Sequence, residues 1–316
     1  MKGEKPNSNF QIPNSDYHTP VLLPETIEAL KIVPDGIYVD CTFGGGGHSK
    51  AILGMLGNKG RLIVLDQDED AAKNLPVDKR VTFIHANFHH LSRFLRLHNI
   101  DVVDGILADL GVSSHQFDEA ERGFSIRHNA TMDMRMDLRQ QLTAYEVVQT
   151  YTEVQLHKIF ELYGEVTNAK TLARSIVAVR SAISLKTIND FKNALREVVK
   201  GNPNKYFAQV FQAIRIEVND ELKALKELLM QIPALLKPGG RAVIITFHSL
   251  EDRLVKNFFR RGSIDEPEQH PFINTEPVNE LIPVNKKPII PTTLEMKANP
   301  RSRSAKLRIA EKKLEK

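Results

Sequence analysis

Cysteine is almost absent from this chain, which has one such residue, Cys41, among its 316. One cysteine excludes an internal disulfide framework and any zinc or iron–sulfur site built from several cysteines. Long apolar runs are absent too, since no window approaches the ~20 continuous apolar residues that a membrane-spanning helix needs. The start of the chain also lacks the apolar segment of a secretory signal peptide. We therefore expect a cytoplasmic protein with no membrane partner.

An excess of positive charge is confined to one end of the sequence. The whole chain has 43 Lys and Arg against 39 Asp and Glu, a net charge of +4. From Lys297 onward eight basic residues stand against two Glu, so the rest of the chain is slightly acidic. This basic tail is either a phosphate-binding element, because Lys and Arg displace counterions from nucleic acid, or a solvated segment.

Strands and helices alternate through the first third of the chain. Short β-branched runs predict strands at 36–40, 61–66, 81–85 and 105–109. Amphipathic segments predict helices over 24–32 and 49–56. This alternation favours a parallel, doubly wound α/β sheet. Residues 1–17 are polar and indicate a flexible lead-in.

The alternation stops at about Phe117, and the segment that follows shows helical patterns alone. Three of its helices open with the spacing of a capping box, in which an N-cap side chain and a side chain three residues later satisfy backbone N–H groups. The three pairs are Thr143/Glu146, Thr152/Gln155 and Thr187/Asp190. The sequence therefore predicts an inserted all-helical domain over 118–214, inside an α/β domain formed by 18–117 and 215–316.

The α/β pattern resumes after the insertion. Apolar residues from Val218 to Ile232 share one helical face, and a Lys-Pro-Gly-Gly turn at 237–240 is expected to stop that helix before a strand over 241–247. The proline-rich stretch 262–291 indicates an irregular or edge-strand region. Ala305, Leu307 and Ile309 alternate as in a strand, so part of the basic tail is expected to pack on the sheet.

A cluster of four glycines, 44–47, follows the first strand and opens a helix, where backbone N–H groups can approach a ligand closely. Alone, the pattern fits either a weak dinucleotide fingerprint or a tight structural turn. Asp66 stands about twenty residues on, at the end of the next strand, where a carboxylate can accept both ribose hydroxyls. Together they predict an adenosine-containing cofactor, and the bulky His48 counts against a pyrophosphate.

Other polar residues have two interpretations. His85, His89 and His90 suggest a metal cluster, but adjacent side chains should point apart, so we expect no metal. Glu251 and Asp252 either face a substrate or complement the dipole of a helix that starts near them.

Seven ordered motifs resemble the bacterial 16S ribosomal RNA cytosine-N4 methyltransferase family, known as RsmH or MraW. They run from His18 to Arg308 and lie at 18–22, 40–49, 109–114, 122–125, 132–137, 247–253 and 303–308. The resemblance implies a class I, Rossmann-like methyltransferase fold, S-adenosyl-L-methionine as cofactor, and 16S ribosomal RNA in the small subunit as partner. A cytidine in the decoding region would be the methylated nucleotide.

The resemblance also implies roles for single residues. The residues that would contact the cofactor are Gly46, Gly47, His48, Asp66, Phe88, Asp109 and Gln116. Phe88 would stack on the adenine, although a lone Phe is also a common core residue. Asp109 is the candidate catalytic residue, as a hydrogen-bond acceptor for the cytosine amine. The tail residues expected on RNA phosphates are Arg301, Arg303, Lys306 and Arg308, and the inserted helices would recognise structured RNA without building the cofactor pocket.

Three other functions are compatible with parts of the pattern. A DNA amino-methyltransferase normally has a Pro-Pro-aromatic motif after the fourth strand, where this chain has Leu110-Gly-Val112. An RNA-binding assembly factor could keep the fold without catalysis, and the unbroken glycine loop counts against it. A nicotinamide oxidoreductase is the third, which binding of NAD would distinguish.

Overall fold

The computed structural model describes residues 20–264 and 279–314, so the lead-in 1–17 and much of the proline-rich stretch lie outside the described residues. The strands are β1 Ile37–Asp40, β2 Arg61–Asp66, β3 Val81–His85, β4 Val103–Asp109, β5 Leu236–Thr246, β6 Leu281–Pro283 and β7 Lys306–Lys312. The helices are α1 Leu23–Leu30, α2 Gly47–Met55, α3 Leu91–Leu97, α4 Ser114–Asp118, α5 Ala144–Thr150, α6 Glu153–Leu162, α7 Ala169–Val179, α8 Ile188–Ala194, α9 Pro203–Asn219, α10 Glu221–Leu235, α11 Ser249–Arg261 and α12 Thr293–Ala298. None of the helices in these ranges combines the length and the apolarity needed to cross a membrane.

The strands form one sheet with the order β3-β2-β1-β4-β5-β7-β6. Strands β1 to β5 are parallel, and Val39 in β1 pairs with Ile63 in β2 on one side and Ile106 in β4 on the other. β7 lies antiparallel between β5 and β6. The strand order reverses direction between β1 and β4, and open α/β sheets bind ligands outside the carboxyl ends of the strands at such a point. The predicted doubly wound sheet is confirmed.

Helices cover both faces of this sheet. On one face α3, α10 and α11 pack over an apolar set that includes Ile63 and Ile106. On the other face α1 and α2 pack over a set that includes Leu62 and Leu107. Adjacent residues of one strand serve opposite faces because strand side chains alternate, which explains the continuous apolar runs of the sequence.

The segment between β4 and α10 is helical, as predicted, and has an apolar core of its own. Its described residues contain no strand, and one isolated bridge joins Thr131 to Thr187. Phe160, Phe191 and Phe211 are among the buried residues of this core. All three predicted capping boxes are present, at the starts of α5, α6 and α8. The inserted helices are therefore packed around one another as well as against the sheet domain.

The predicted boundary at 214/215 falls inside a helix. α9 continues to Asn219, and Val218 packs in the core of the inserted helices. The chain turns at Asp220, whose φ of 53° is left-handed, and α10 begins at the next residue. The prediction that Val218 and Ile232 belong to one helix is therefore wrong, since the turn at Asp220 separates α9 from α10.

β5 begins earlier than the sequence indicates, at Leu236 and not at Arg241. The Lys-Pro-Gly-Gly residues lie within this strand, where its pairing with β4 shifts register between Val103 and Gly105. Such an irregularity accommodates a proline, which cannot donate to the ladder. α10 accordingly ends at Leu235, before Pro238 is reached.

The basic tail is part of the sheet. β7 pairs with β5, and Leu307 and Ile309 are buried between the sheet and its covering helices. This confirms that part of the tail packs on the sheet, and the alternative of a wholly solvated tail is wrong.

Candidate active site

A cavity of about 720 Å³ opens at the carboxyl ends of β1 to β5. A parallel sheet brings the residues that follow its strands to one edge, so separate loops meet here. The glycine-loop half of the cavity follows β1, β2 and β3 and includes Gly44, Asp66, Asn87 and Phe88. The β5 half follows β4 and β5 and includes Asp109, Leu110, Phe247 and Glu251.

The glycine loop brings backbone to the wall of the cavity. Gly46 precedes α2 with a φ of 74°, a left-handed conformation that glycine adopts without strain. A Cβ on Gly47 would lie 2.1 Å from Cγ of Pro20, so a larger residue does not fit. Gly47 lines the cavity together with Gly44 and Gly45, whereas Gly46 provides the turn into the helix. Pro20 explains the need for glycine at position 47, and the close approach of backbone to a ligand stays a prediction.

Asp66, at the end of β2, is held by backbone N–H groups. Its Oδ2 accepts a hydrogen bond from Gly44 at 2.7 Å, and its Oδ1 accepts one from Asp68 at 2.9 Å. Burial raises the pKa of Asp66 to about 6, although these two bonds oppose the shift. Each carboxylate oxygen has a further lone pair, so the group can still accept bonds from two neighbouring hydroxyls.

Phe88 and Gln116 have structural contacts besides their places on the cavity wall. Phe88 lines the cavity and also packs against the apolar core under the sheet, so its two expected roles are compatible. Gln116 donates through Nε2 to Asp68 at 2.7 Å and accepts through Oε1 from the N–H of Ser113 at 3.1 Å. Gln116 therefore fixes the loop that follows Asp66.

Asp109, at the end of β4, presents an unpaired oxygen. Its Oδ1 is buried and has no hydrogen-bond partner in the described part of the chain, and its Oδ2 lies 3.6 Å from Nδ1 of His48. Nε2 of His48 lies 3.0 Å from the carbonyl oxygen of Val21, which can only accept, so we assign the ring proton to Nε2. Burial, with the charges of Asp40 and Glu251, raises the pKa of Asp109 well above its usual value.

The β5 half contains a buried network of charged side chains. Glu251 accepts a hydrogen bond from the N–H of Phe247 through Oε2 at 2.8 Å, and its Oε1 lies 3.3 Å from Nε2 of His248. Burial alone would raise the pKa of Glu251, but His248, this N–H group and Arg215 lower it overall. Arg215 donates to both carboxylate oxygens of Glu221, at 2.8 and 2.9 Å. Glu251 is therefore an ionised group on the cavity wall.

Known proteins are similar to this chain over nearly its whole length. A model of the MraW methylase family matches residues 15–313. The chain belongs to the MraW methylase family. A Bacteroides thetaiotaomicron protein named ribosomal RNA small subunit methyltransferase H is 52% identical, over 94% of this chain and 98% of its own length. Proteins of the same name from Bacteroides fragilis and Flavobacterium johnsoniae are each 53% identical over the same shares.

Membership of the MraW methylase family agrees with the fold. The strand order and the antiparallel β7 are those of a class I methyltransferase, with helices inserted between β4 and α10. The resemblance drawn from the sequence motifs and the fold class that it implied are both confirmed.

A non-helical part of the insertion lies at the cavity. Met136 lines it, and its sulfur accepts a hydrogen bond from Gln67 at 3.1 Å. Arg122 lies 2.9 Å from Oδ2 of Asp68, and both side chains are buried. The segment 122–137 folds over the loop after β2, and the expectation that the inserted helices do not build the cofactor pocket stays a prediction.

Three residues of types that can bind a metal ion lie close together in the β5 half. Ligand atoms of Glu221, His248 and Glu251 lie within 4.8 Å of one another. Both oxygens of Glu221 already accept from an arginine, so the group is an ion-paired network as it stands.

The prediction that His89 and His90 point apart is wrong, since their ring centroids are 3.9 Å apart. The expectation that no metal is involved stays a prediction.

Two of the basic residues expected on phosphates contact the same carboxylate. Arg308 donates through Nε to Asp252 at 2.6 Å, and its side chain is 8% exposed. Lys306 lies 3.2 Å from the other oxygen of Asp252, with its side chain 40% exposed. The structure therefore places Arg308 inside the sheet domain and not on a surface that faces RNA.

The other two tail residues lie near the mouth of the cavity or in solvent. Arg301 lines the cavity, pairs with Asp118 and lies 5.3 Å from the ring centroid of Phe117. Arg303 is exposed. The charge available to a phosphate therefore comes from Arg303, with Arg301 and Lys306 partly neutralised.

Several cavity residues carry no prediction from the sequence. Phe247 lies in the 247–253 motif, which was the available signal for it, and Asn87 precedes Phe88 directly after β3. Asn219 and Glu221 flank the turn at Asp220, which no glycine or proline marks. Their position at the cavity follows from packing between the insertion and the sheet, which a linear pattern does not contain.

Proposed function

We propose that this chain transfers a methyl group from S-adenosyl-L-methionine to the exocyclic N4 amine of a cytidine in the decoding region of 16S ribosomal RNA. The observation that supports this acceptor is Oδ1 of Asp109 on the cavity wall, which is buried and has no hydrogen-bond partner in the ranges that the structure describes. A carboxylate oxygen accepts hydrogen bonds and an amine donates them, so an amine suits this position. A substrate in the small ribosomal subunit makes the protein cytoplasmic.

The residues of the glycine-loop half fit S-adenosyl-L-methionine. Asp66 has lone pairs for two ribose hydroxyls, Phe88 offers an aromatic face for adenine, and the backbone at Gly47 allows close approach of the methionine part. His48 and Asp109 lie beside one another between this half and the β5 half. The methyl group would then be presented toward the β5 half.

The protein's part in the reaction is to position the amine and to receive its proton. S-adenosyl-L-methionine, when bound, supplies an electrophilic methyl group. The cytosine amine is a weak nucleophile because its lone pair is delocalised into the ring, so a hydrogen bond to Asp109 favours a pyramidal nitrogen. Burial raises the pKa of Asp109, which increases the proton affinity of its carboxylate. Leu110 and Phe247 exclude water from the acceptor nitrogen.

The experiment that tests this proposal is nucleoside mass spectrometry of 16S ribosomal RNA from cells with and without the gene, and of purified small subunits after treatment with the protein. N4-methylated cytidine should appear with the protein and disappear without it. Methylation at another atom, or of DNA instead, would contradict the proposal.

Binding of the cofactor should weaken in acid because of Asp66. Its pKa is raised to about 6, and the ionised form accepts the ribose hydroxyls, so affinity is retained above that pH and falls as pH decreases through it. We expect about tenfold weaker binding of S-adenosyl-L-methionine at about pH 5 than at about pH 7. Calorimetry measures it, and Asp66→Asn should bind weakly with no change over this range. A wild-type affinity that is constant with pH would count against the ribose contact.

We propose that RNA lies across the cavity mouth, between the basic tail and the inserted helices. Arg301 lines the cavity, and the exposed Arg303 lies two residues further along the chain, so both can supply positive charge to an RNA bound there. The pairing of Arg301 with Asp118 joins the tail to the edge of the insertion, so the two elements form one surface. A surface of this kind recognises shape, which favours an assembled small subunit over free RNA.

Arg303→Ala should reduce the salt dependence of small-subunit binding by up to about one unit of log–log slope, since one phosphate contact is lost. Lys59→Ala removes the same charge from an exposed position before β2, at the opposite edge of the sheet, and should leave the slope unchanged. Equal slopes for both variants would remove Arg303 from the interface. Deleting the tail is not a usable test, because β7 lies within the sheet.

A further inference from the structure

The β5 half of the cavity contains a second carboxylate near Asp109. Glu251 lines the cavity, and its negative charge is one of the causes of the raised pKa of Asp109, so the two groups interact. They come from different elements, since Asp109 ends β4 and Glu251 lies in the first turn of α11 after β5. These strands are neighbours in the sheet, with Asp109 paired to Ile245. The sheet therefore brings both carboxylates to one place.

Glu251 has contacts beyond those of its capping box. Its Oε2 accepts from the N–H groups of Phe247 and His248, at 2.8 and 3.3 Å. Its Oε1 lies 3.3 Å from Nε2 of His248, and its side chain is 3% exposed. A buried ionised carboxylate that borders a cavity is costly unless N–H groups surround it. The cavity side of Glu251 is the side on which a substrate N–H can approach.

An aromatic amine that is to be methylated has two N–H groups and one lone pair. Two fixed acceptors, one for each N–H, leave the lone pair as the part of the nitrogen directed toward the methyl donor. We propose that Glu251 is the second acceptor of the target amine, opposite Asp109, and that this pair of carboxylates selects cytosine over uracil. The inference rests on the function proposed above.

The two carboxylates have different parts in the step. As the nitrogen–carbon bond forms, the carbon–sulfur bond breaks with its electron pair passing to sulfur, and the proton lost from nitrogen passes to Asp109. Glu251 has a lowered pKa and remains ionised, so it stabilises the positive charge that develops on nitrogen. Uracil has a carbonyl oxygen in place of the amine, and the ionised Glu251 repels it because an ionised carboxylate cannot donate a hydrogen bond.

Glu251→Gln tests this inference with Glu146→Gln as the matched control. Glu146 has the same capping-box position at the start of α5, away from the cavity, and its Oε2 accepts from Thr143 at 2.8 Å. In single-turnover methylation of small subunits, Glu251→Gln should be slower by about tenfold or more, the effect of losing a charge-assisted hydrogen bond. Affinity for S-adenosyl-L-methionine should stay within about twofold, and Glu146→Gln should leave both unchanged.

Equal rate losses in the two variants would reduce Glu251 to a helix cap and overturn the inference, as would a rate loss accompanied by weaker cofactor binding. If Glu251→Gln does not fold, Glu251→Asp keeps the charge at the helix start and withdraws the carboxylate by one methylene. Folded Glu251→Asp should also lose rate, and full activity would contradict the second contact.

Competition by small subunits that carry uridine at the target position gives the specificity readout. Wild-type protein should bind them more weakly than subunits with cytidine, and the glutamine amide of Glu251→Gln can donate to O4, so the difference should shrink. Unchanged discrimination overturns the role of Glu251 in selection. The proposed function fails separately, if the wild-type product is not N4-methylcytidine.

Discussion

Asp109→Asn should lower the single-turnover rate on small subunits by about a hundredfold at saturating cofactor, which is the scale of a lost electrostatic contact in a transition state. Oδ1 of Asp109 is buried and has no hydrogen-bond partner among the described residues, and burial raises the pKa of this carboxyl. An asparagine keeps the shape and removes the base. Cofactor affinity should fall as well, because Asp109 also borders the glycine-loop half.

Asp104→Asn is the control for this variant. It makes the same substitution in the same strand, near the start of β4 and so at the opposite end from the cavity. The Asp104 carboxylate accepts hydrogen bonds from Ile37 and Lys237. Loss of the Asp104 carboxylate should lower stability and leave the methylation rate of the folded protein unaltered. An Asp109→Asn rate within about twofold of wild type would confine Asp109 to cofactor binding.

Asp66→Ala should weaken S-adenosyl-L-methionine by about tenfold to a hundredfold, from the loss of hydrogen bonds to a charged acceptor. The same change leaves the N–H groups of Gly44 and Asp68 without their partner, so the loop geometry is lost together with the ribose contact. Isothermal calorimetry measures the affinity directly.

Asp78→Ala removes a carboxylate from the opposite end of the neighbouring strand β3, where it pairs with Arg80, and should leave cofactor affinity unchanged. Titration with NAD in parallel separates the cofactor assignment from that of an oxidoreductase. Unchanged affinity in Asp66→Ala, or tighter binding of NAD than of S-adenosyl-L-methionine, would contradict the assignment.

The parts of the fold that the sequence predicts are those with local causes. β2 and β3 have the predicted limits because short apolar runs are bounded by polar residues on both sides. The capping boxes at Thr143, Thr152 and Thr187 are correct because a cap depends on residues three positions apart. The glycine cluster likewise predicts a local feature, the turn into α2 at Gly46.

The parts that the sequence does not predict depend on distant packing. The break at Asp220 is invisible because the helical spacing of apolar residues continues from Val218 through it. The sequence suggests that Arg308 is a phosphate ligand because its partner, Asp252 of α11, is distant in the chain. Glu251 has a sufficient local explanation as a helix cap, and its position on the cavity wall appears only when β5 lies next to β4.

The insertion between β4 and β5 also determines how the sheet can assemble. Asp109 and Leu236 are separated by the whole set of inserted helices, yet the two strands are direct neighbours in the sheet. Closing so long a loop as a disordered chain is slow, and contacts distant in sequence slow folding in general. The inserted helices have short-range contacts and a core of their own, so they can form first and bring their two ends together. We therefore expect that disrupting the inserted core, for example at Phe160, slows the pairing of β4 with β5 and so the meeting of Asp109 with Glu251.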